Sequence, residues 1–166
     1  MENYHALRRK EKEIKDPAAL KAMLAAAKYV TIAMCRGDEP YLVTLSHGYD
    51  AERNAVYFHC AREGKKIGIL EANNRVWGQA IVDRGYVDGH CDHLFTSVQF
   101  HGRVSFIEDG EEKRHALAVM IRQLESDPDR VMGHQVNDAS VAKVHIGRID
   151  IDFLSGKRSE KVVESL

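Results

Sequence analysis

Between residues 29 and 60, three runs rich in β-branched and apolar side chains follow one another with only short polar turns between them. Residues 29–35 read YVTIAMC, residues 41–49 read YLVTLSHGY and residues 55–60 read AVYFHC. The intervening RGDE (36–39) and DAERN (50–54) are too short for a crossover helix. Parallel pairing is therefore disfavoured, and antiparallel hairpins are expected.

Strand character returns at residues 75–82 (RVWGQAIV) and 94–107 (LFTSVQFHGRVSFI), the latter with a bend expected at Gly102. A sixth strand is expected over 141–153, where Ile149, Ile151 and Phe153 alternate with Asp150 and Asp152. Helices fall between these runs. Asp16 and Pro17 form an N-cap and first helical residue for 16–28. Residues 62–73 and 111–124 carry helical apolar spacing, the second with Ala116, Leu117, Met120, Ile121 and Leu124 in one stripe. Residues 83–93 read as a polar loop, 127–139 as irregular with room for a short helical turn, and 155–166 as a charged tail. The expected fold is mainly β with helices added (α+β): a six-stranded antiparallel β-barrel with flanking helices, in a single domain over 1–166.

Charge and composition narrow the partners. The chain has 24 basic and 25 acidic side chains, so no global field invites nucleic acid, and any anion site must be built locally. No apolar run approaches the ~20 residues of a membrane span, and the N-terminal sequence lacks the apolar core of a signal peptide. A cytoplasmic protein is expected. The three cysteines, Cys35, Cys60 and Cys91, form neither a disulfide framework nor a paired zinc motif. The cluster GHCDH at 89–93 offers one group of potential metal ligands where structural zinc uses two, so no metal is expected.

The stretch YFHCAREGKKIGIL, residues 57–70, carries the most chemistry. A strand ends at His59 or Cys60, Gly64 follows, and a helix begins near Lys65. The first N–H groups of a helix are unpaired and favour anions. Lysines there are unfavourable unless an anion compensates them. Lys65 and Lys66 therefore point to a phosphate site, or else to a solvated pair on a surface helix. His59 is either a site residue or a strand-end histidine bonded to backbone. His47 is either a substrate-side acid or base, since histidine titrates near neutral pH, or a surface residue. For His101 beside Gly102 a structural role is expected, and for Trp77 core or dimer packing.

Four segments in order, LRRKEKEI, PYLVTLSHGYD, AVYFHCAREGKKIGIL and TSVQFHGRV, followed by IDIDFLSGK, together resemble the FMN-binding split-barrel family related to pyridoxamine 5′-phosphate oxidase. The branch that includes nitroimidazole-resistance proteins is the more similar one. The resemblance covers roughly residues 7–158. It departs from the family pattern at Thr44, often Pro, and at His47, commonly aromatic or aliphatic.

The resemblance implies FMN, with FAD as an alternative, bound by a homodimer. It places Val43, Thr44, Leu45 and Ser46 at the flavin ring, His59, Lys65 and Lys66 near the phosphate or ring, and Thr96 and Ser97 on the ribityl-phosphate side. It further implies an oxidoreductase acting on a small reducible molecule such as a nitroaromatic. The alternatives are a non-catalytic flavin carrier and a haem-binding split barrel. Nothing in this pattern points to nucleic-acid or membrane partners.

Overall fold

The computed structural model describes residues 7–160. Seven strands form one antiparallel sheet in the order β2-β1-β5-β6-β7-β4-β3. They are β1 (Tyr29–Arg36), β2 (Glu39–Ser46), β3 (Gly48–Asp50), β4 (Ala55–Cys60), β5 (Arg75–Val87), β6 (Asp92–Ile107) and β7 (His145–Ser159). Among the described residues five α-helices accompany them, α1 (Pro17–Ala26), α2 (Lys65–Ala72), α3 (Gly110–Leu124), α4 (Pro128–Gln135) and α5 (Asp138–Lys143), with a single 3-10 turn at Lys10–Lys12.

The strand order dictates the shape. β2 and β3 lie at opposite edges of the sheet, yet only His47 separates them in the chain. The sheet must curl until its two edges meet at His47, and they part again away from it. This is a barrel with a split between β2 and β4. The expected sixfold strand count becomes seven because the 41–49 run breaks at His47.

Alternation sorts the side chains. Val30, Ile32, Met34, Val56, Phe58, Val98, Phe100 and Ile149 fill the barrel with Leu24 of α1. β4 is buried on both faces: Ala55 and Tyr57 turn outward against Ala116 and Met120 of α3. β3 lies so close to α3 that a Cβ on Gly48 would sit 2.7 Å from the Met120 backbone, so only glycine fits there.

The point where the edges meet is held by polar groups. His47 is fully buried, and its Nε2 lies 3.1 Å from the Leu24 carbonyl, to which it donates. Gln123 of α3 donates from Nε2 to the carbonyls of Leu24 (3.2 Å) and Ala27 (2.8 Å), and its Oε1 accepts the Tyr49 N–H at 2.8 Å. One amide thus ties α1, α3 and β3 together beside the closure. His47 has no face open to a substrate, which removes it from the acid–base candidates.

Burial pushes the His47 imidazole below its ordinary range, and the hydrogen bonds to backbone only partly offset this. Protonation would also put a donor on Nδ1, which is buried with no partner among the described residues. A group whose folded pKa is depressed costs stability as pH falls through its unfolded value, about 6.5 for histidine. Lowering the pH from 7.5 to 5.5 should therefore penalise the wild type at this position and spare a His47→Gln variant. In paired thermal melts, the stability deficit of His47→Gln should shrink as pH falls. A deficit that stays constant over that range rules out a neutral, buried His47 as the source.

Several sequence expectations need correction. Residues 83–93 are not a loop: β5 and β6 continue outward as a hairpin, with a register shift between Asp83 and Tyr86. Residues 127–139 hold α4 and the start of α5, each with a side-chain N-cap, Asp127 and Asn137. The last strand begins at His145 rather than 141, because Val141 is the buried residue of α5. It then runs through 155–159, which were expected to be tail. The irregularity at Gly102 is present, and the extra residue is Asp152 of β7, since His101 faces Phe153 and Gly102 faces Ile151.

Candidate functional site

The split between β2 and β4 is closed at one end by α2. That helix starts with no side-chain cap, from Gly64 at φ 135°, a value that favours glycine. The N–H groups of Ile67 and Gly68 return to the Gly64 carbonyl. Those of Lys65 and Lys66 come earlier than the helix's own hydrogen bonding can reach, so they are open to an acceptor. The two lysines straddle the split. Lys65 reaches β2, lying 3.3 Å from Glu39 Oε1 and 4.8 Å from the Tyr41 ring centre. Lys66 reaches β4, 5.8 Å above the Phe58 ring. Lys65 is exposed and Lys66 half-buried.

β2 supplies the other wall. It pairs only with β1, so its outer edge has no strand partner among the described residues. Along it Val43 and Leu45 pack against the barrel core, while Thr44 and Ser46 are exposed. His59, at the end of β4, is exposed, and Cys60 beside it is half-buried, with burial raising its thiol pKa. The structure brings Lys65 to β2 and Lys66 to β4 at the split, with Val43 and Leu45 turned to the barrel core; Thr44 faces the other way, its Oγ1 2.9 Å from Thr31 Oγ1, and Ser46 and His59 are exposed. Free strand-edge groups, unpaired helix N–H groups and two cations suit a flat heterocycle carrying a phosphate.

Thr96 and Ser97 lie elsewhere. Both are on β6, separated from β2 by β5 and β1. Thr96 points inward, and its Oγ1 is buried without a partner among the described residues. Ser97 points outward and lines a cavity of about 440 Å³ with Gln79, Ile81, Phe95, Gln99 and Lys157. A second cavity of about 540 Å³ continues across Gln79 and Gln99 to Trp77, Ala33, Thr31 and Leu42. This outer face of the sheet carries Tyr29, Leu42, Trp77 and Ile81, at least 40% exposed each. Trp77 is not a core residue: it packs edge-on against His101 (5.5 Å) and Phe153 (5.9 Å) on this face. His101 is buried, and its Nδ1 lies 2.6 Å from Asp152, whose outward turn follows from the β-bulge.

Sequence reading missed Gln123 and the His101–Asp152 pair. Neither belongs to a motif; both depend on elements far apart in the chain. At the outer hairpin His93 pairs with Asp83 at 2.7 Å, and Cys91 is exposed. Among the described residues no three His, Cys, Asp or Glu side chains converge as a metal site. No helix there is long and apolar enough to cross a membrane.

Residues 16–158 match the family model described as pyridoxamine 5′-phosphate oxidase. No curated protein matches the chain. Among solved structures, a protein described as a candidate 5-nitroimidazole antibiotic resistance protein from Bacteroides thetaiotaomicron is 29% identical, with 87% of this chain and 85% of that one covered and a TM-score of 0.75. A FAD-binding protein from Mesorhizobium loti shares 23% identity over 87% of this chain and 96% of its own, with a TM-score of 0.62. The flavocytochrome Anf3 from Azotobacter vinelandii shares 18% over 95% of this chain and 73% of its own, with a TM-score of 0.77. The last two likenesses concern the fold.

Proposed function

The chain belongs to the pyridoxamine 5′-phosphate oxidase family, and from that premise we propose that it binds FMN in the β2–β4 cleft and works as a homodimeric oxidoreductase on a small reducible molecule. The observation that carries this reading is the uncapped start of α2, where Lys65 and Lys66 converge on a cleft walled by a free strand edge. The naming of relatives as FAD-binding, or as linked to nitroimidazole resistance, supports a flavin and a nitroaromatic substrate class.

In this reading Lys66 and Lys65 hold the phosphate, together with their own N–H groups. The β2 backbone at Val43, Thr44, Leu45 and Ser46 orients the ring edge, and His59 flanks the ring or phosphate. A bound flavin supplies electron transfer that no side chain here can supply. Ser97 cannot reach the cleft of its own chain across two intervening strands. A two-fold partner docked on the apolar outer face brings its Ser97 to the cleft and excludes water from it. Thr96, turned inward, serves the barrel wall.

The test is direct. Purified protein incubated with FMN and desalted should retain about one flavin per chain, seen as the paired visible absorption bands. Light scattering should give a dimer. Protein that stays colourless with both FMN and FAD sinks the proposal. A flavin-loaded dimer that never oxidises NADH or NADPH in the presence of a nitroaromatic would be a carrier rather than an enzyme.

A further inference from the structure

Two histidines outside the proposed flavin site are buried near the two ends of α3. His47 lies beside the C-terminal end, fully buried, with its Nε2 3.2 Å from Gln123 Nε2. His145 lies toward the N-terminal end, at the start of β7. It is 9% exposed and stacks on Phe106, with ring centres 4.5 Å apart and planes 18° apart. Its neighbour Ile146 packs against Ala116 and Met120 of α3. In both imidazoles Nδ1 is buried with no hydrogen-bond partner among the described residues. A neutral ring leaves that nitrogen as an unused acceptor. A charged ring carries a donor there, buried with nothing to receive it.

The surroundings of both rings resist charge. At His47 burial depresses the pKa, and the backbone of Leu24 and Lys28 offsets this only in part; no charged side chain among the described residues bears on it. At His145 burial again comes first. Arg62 of the β4–α2 loop and Lys113 of α3 add repulsion, while Glu108 before α3 and Glu71 of α2 relieve part of it. Lys113 is itself 5% exposed, so it is turned toward the barrel rather than to solvent. Between the two histidines, His115 fastens α3 to Asp50 at 2.6 Å and Glu112 fastens it to Arg148 at 2.7 Å.

We propose that α3 is an acid-released latch, closed on the barrel only while His47 and His145 are both uncharged. Lifting the helix gives both imidazoles access to water. The open form then takes up a proton at each as pH falls through about 6.5, the value of a free histidine, and the closed form refuses both. Acidification from pH 7.5 to 5.5 therefore favours the open form by up to about tenfold per histidine. Opening withdraws Gln123 from Leu24, Ala27 and Tyr49, so the place where β2 and β3 meet loses its tie. It also uncovers Ala55 and Tyr57 on the outer side of β4. This is a local unfolding that leaves the long strands paired. It is a property of the fold, and it holds whether or not the cleft carries a flavin.

The experiment is amide hydrogen exchange of the full-length protein at pH 7.5 and 5.5, with each rate divided by the intrinsic rate at that pH. Residues 116–123 of α3 should be less protected than the centre of β6 around Val98 and Phe100 at both pH values, because the helix opens without the sheet. In the wild type the protection of α3 should fall on acidification by up to about a hundredfold. His47→Gln and His145→Gln should each leave at most about a tenfold fall, and the double variant almost none. His90→Gln, at an exposed position of the outer hairpin, should respond as the wild type does. If His47→Gln does not fold, the wild type and His145→Gln still decide the matter. An α3 no less protected than β6, or a fall in α3 protection unchanged by His145→Gln, overturns the proposal.

Discussion

Replacing Lys66 by alanine should weaken FMN binding roughly tenfold to a hundredfold and leave riboflavin binding nearly unchanged. The half-buried Lys66 sits over Phe58 at the start of α2, where no acidic partner competes for it among the described residues. A charge-assisted hydrogen bond in such a place contributes ~1.5–3 kcal/mol, and each 1.4 kcal/mol is about tenfold in affinity. Lys65 should matter less. Its side chain is 58% exposed and already 3.3 Å from Glu39, so a phosphate must draw it from an existing partner and from water. Riboflavin lacks the phosphate and has nothing to lose when either lysine goes. Salt should weaken FMN more than riboflavin, and the Lys66 contribution should be screened less than that of Lys65. Flavin-fluorescence titration of wild type, Lys65→Ala and Lys66→Ala with both ligands gives the answer. Equal losses for the two ligands would mean that the lysines act through folding or ring packing. No loss for either would make them a solvated helix face.

This site was partly legible in the sequence because its signal is local. Gly64, Lys65 and Lys66 are consecutive, and the strand before them is apolar enough to locate the helix start. The same holds for α1, where Asp16 caps the Ala18 N–H at 2.9 Å as its position before Pro17 suggests. The break at His47 was hidden for the opposite reason. The apolar run continues through it, and only contacts to Leu24 and Gln123, brought by α1 and α3, reveal a buried histidine there. The outer hairpin read as a loop because most of the strand residues from Ile81 to Tyr86 are exposed on both faces, which leaves no alternation to detect. The end of β7 was missed likewise, since Lys157 and Arg158 are exposed within a fully paired strand.

Charging the outer face should split the proposed dimer and release flavin together, although the altered residues are far from the lysines. Leu42 and Ile81 are 64% and 57% exposed in the single chain, so aspartate at either position has little to disturb within the fold. Beneath a partner subunit the same residues would be covered. Each would then lose ~1.5–3 kcal/mol of apolar burial on substitution, and would add an unpaired carboxylate that resists leaving water. The double variant Leu42→Asp/Ile81→Asp should raise the dimer dissociation constant by more than about a hundredfold. Its far-ultraviolet spectrum should stay that of the wild type. FMN affinity should fall with dimer content and recover at high protein concentration, because the cleft of one chain would lack the partner's Ser97 and its cover. The lysine variants should show the converse, weaker FMN with the dimer intact. Sedimentation and flavin titration on one dilution series read both quantities. A dimer that persists in the double variant removes this face from the interface. A monomer that still binds FMN as tightly as the wild type would show that the β2–β4 cleft is complete within one chain, and the reason for placing Ser97 at the flavin would go with it.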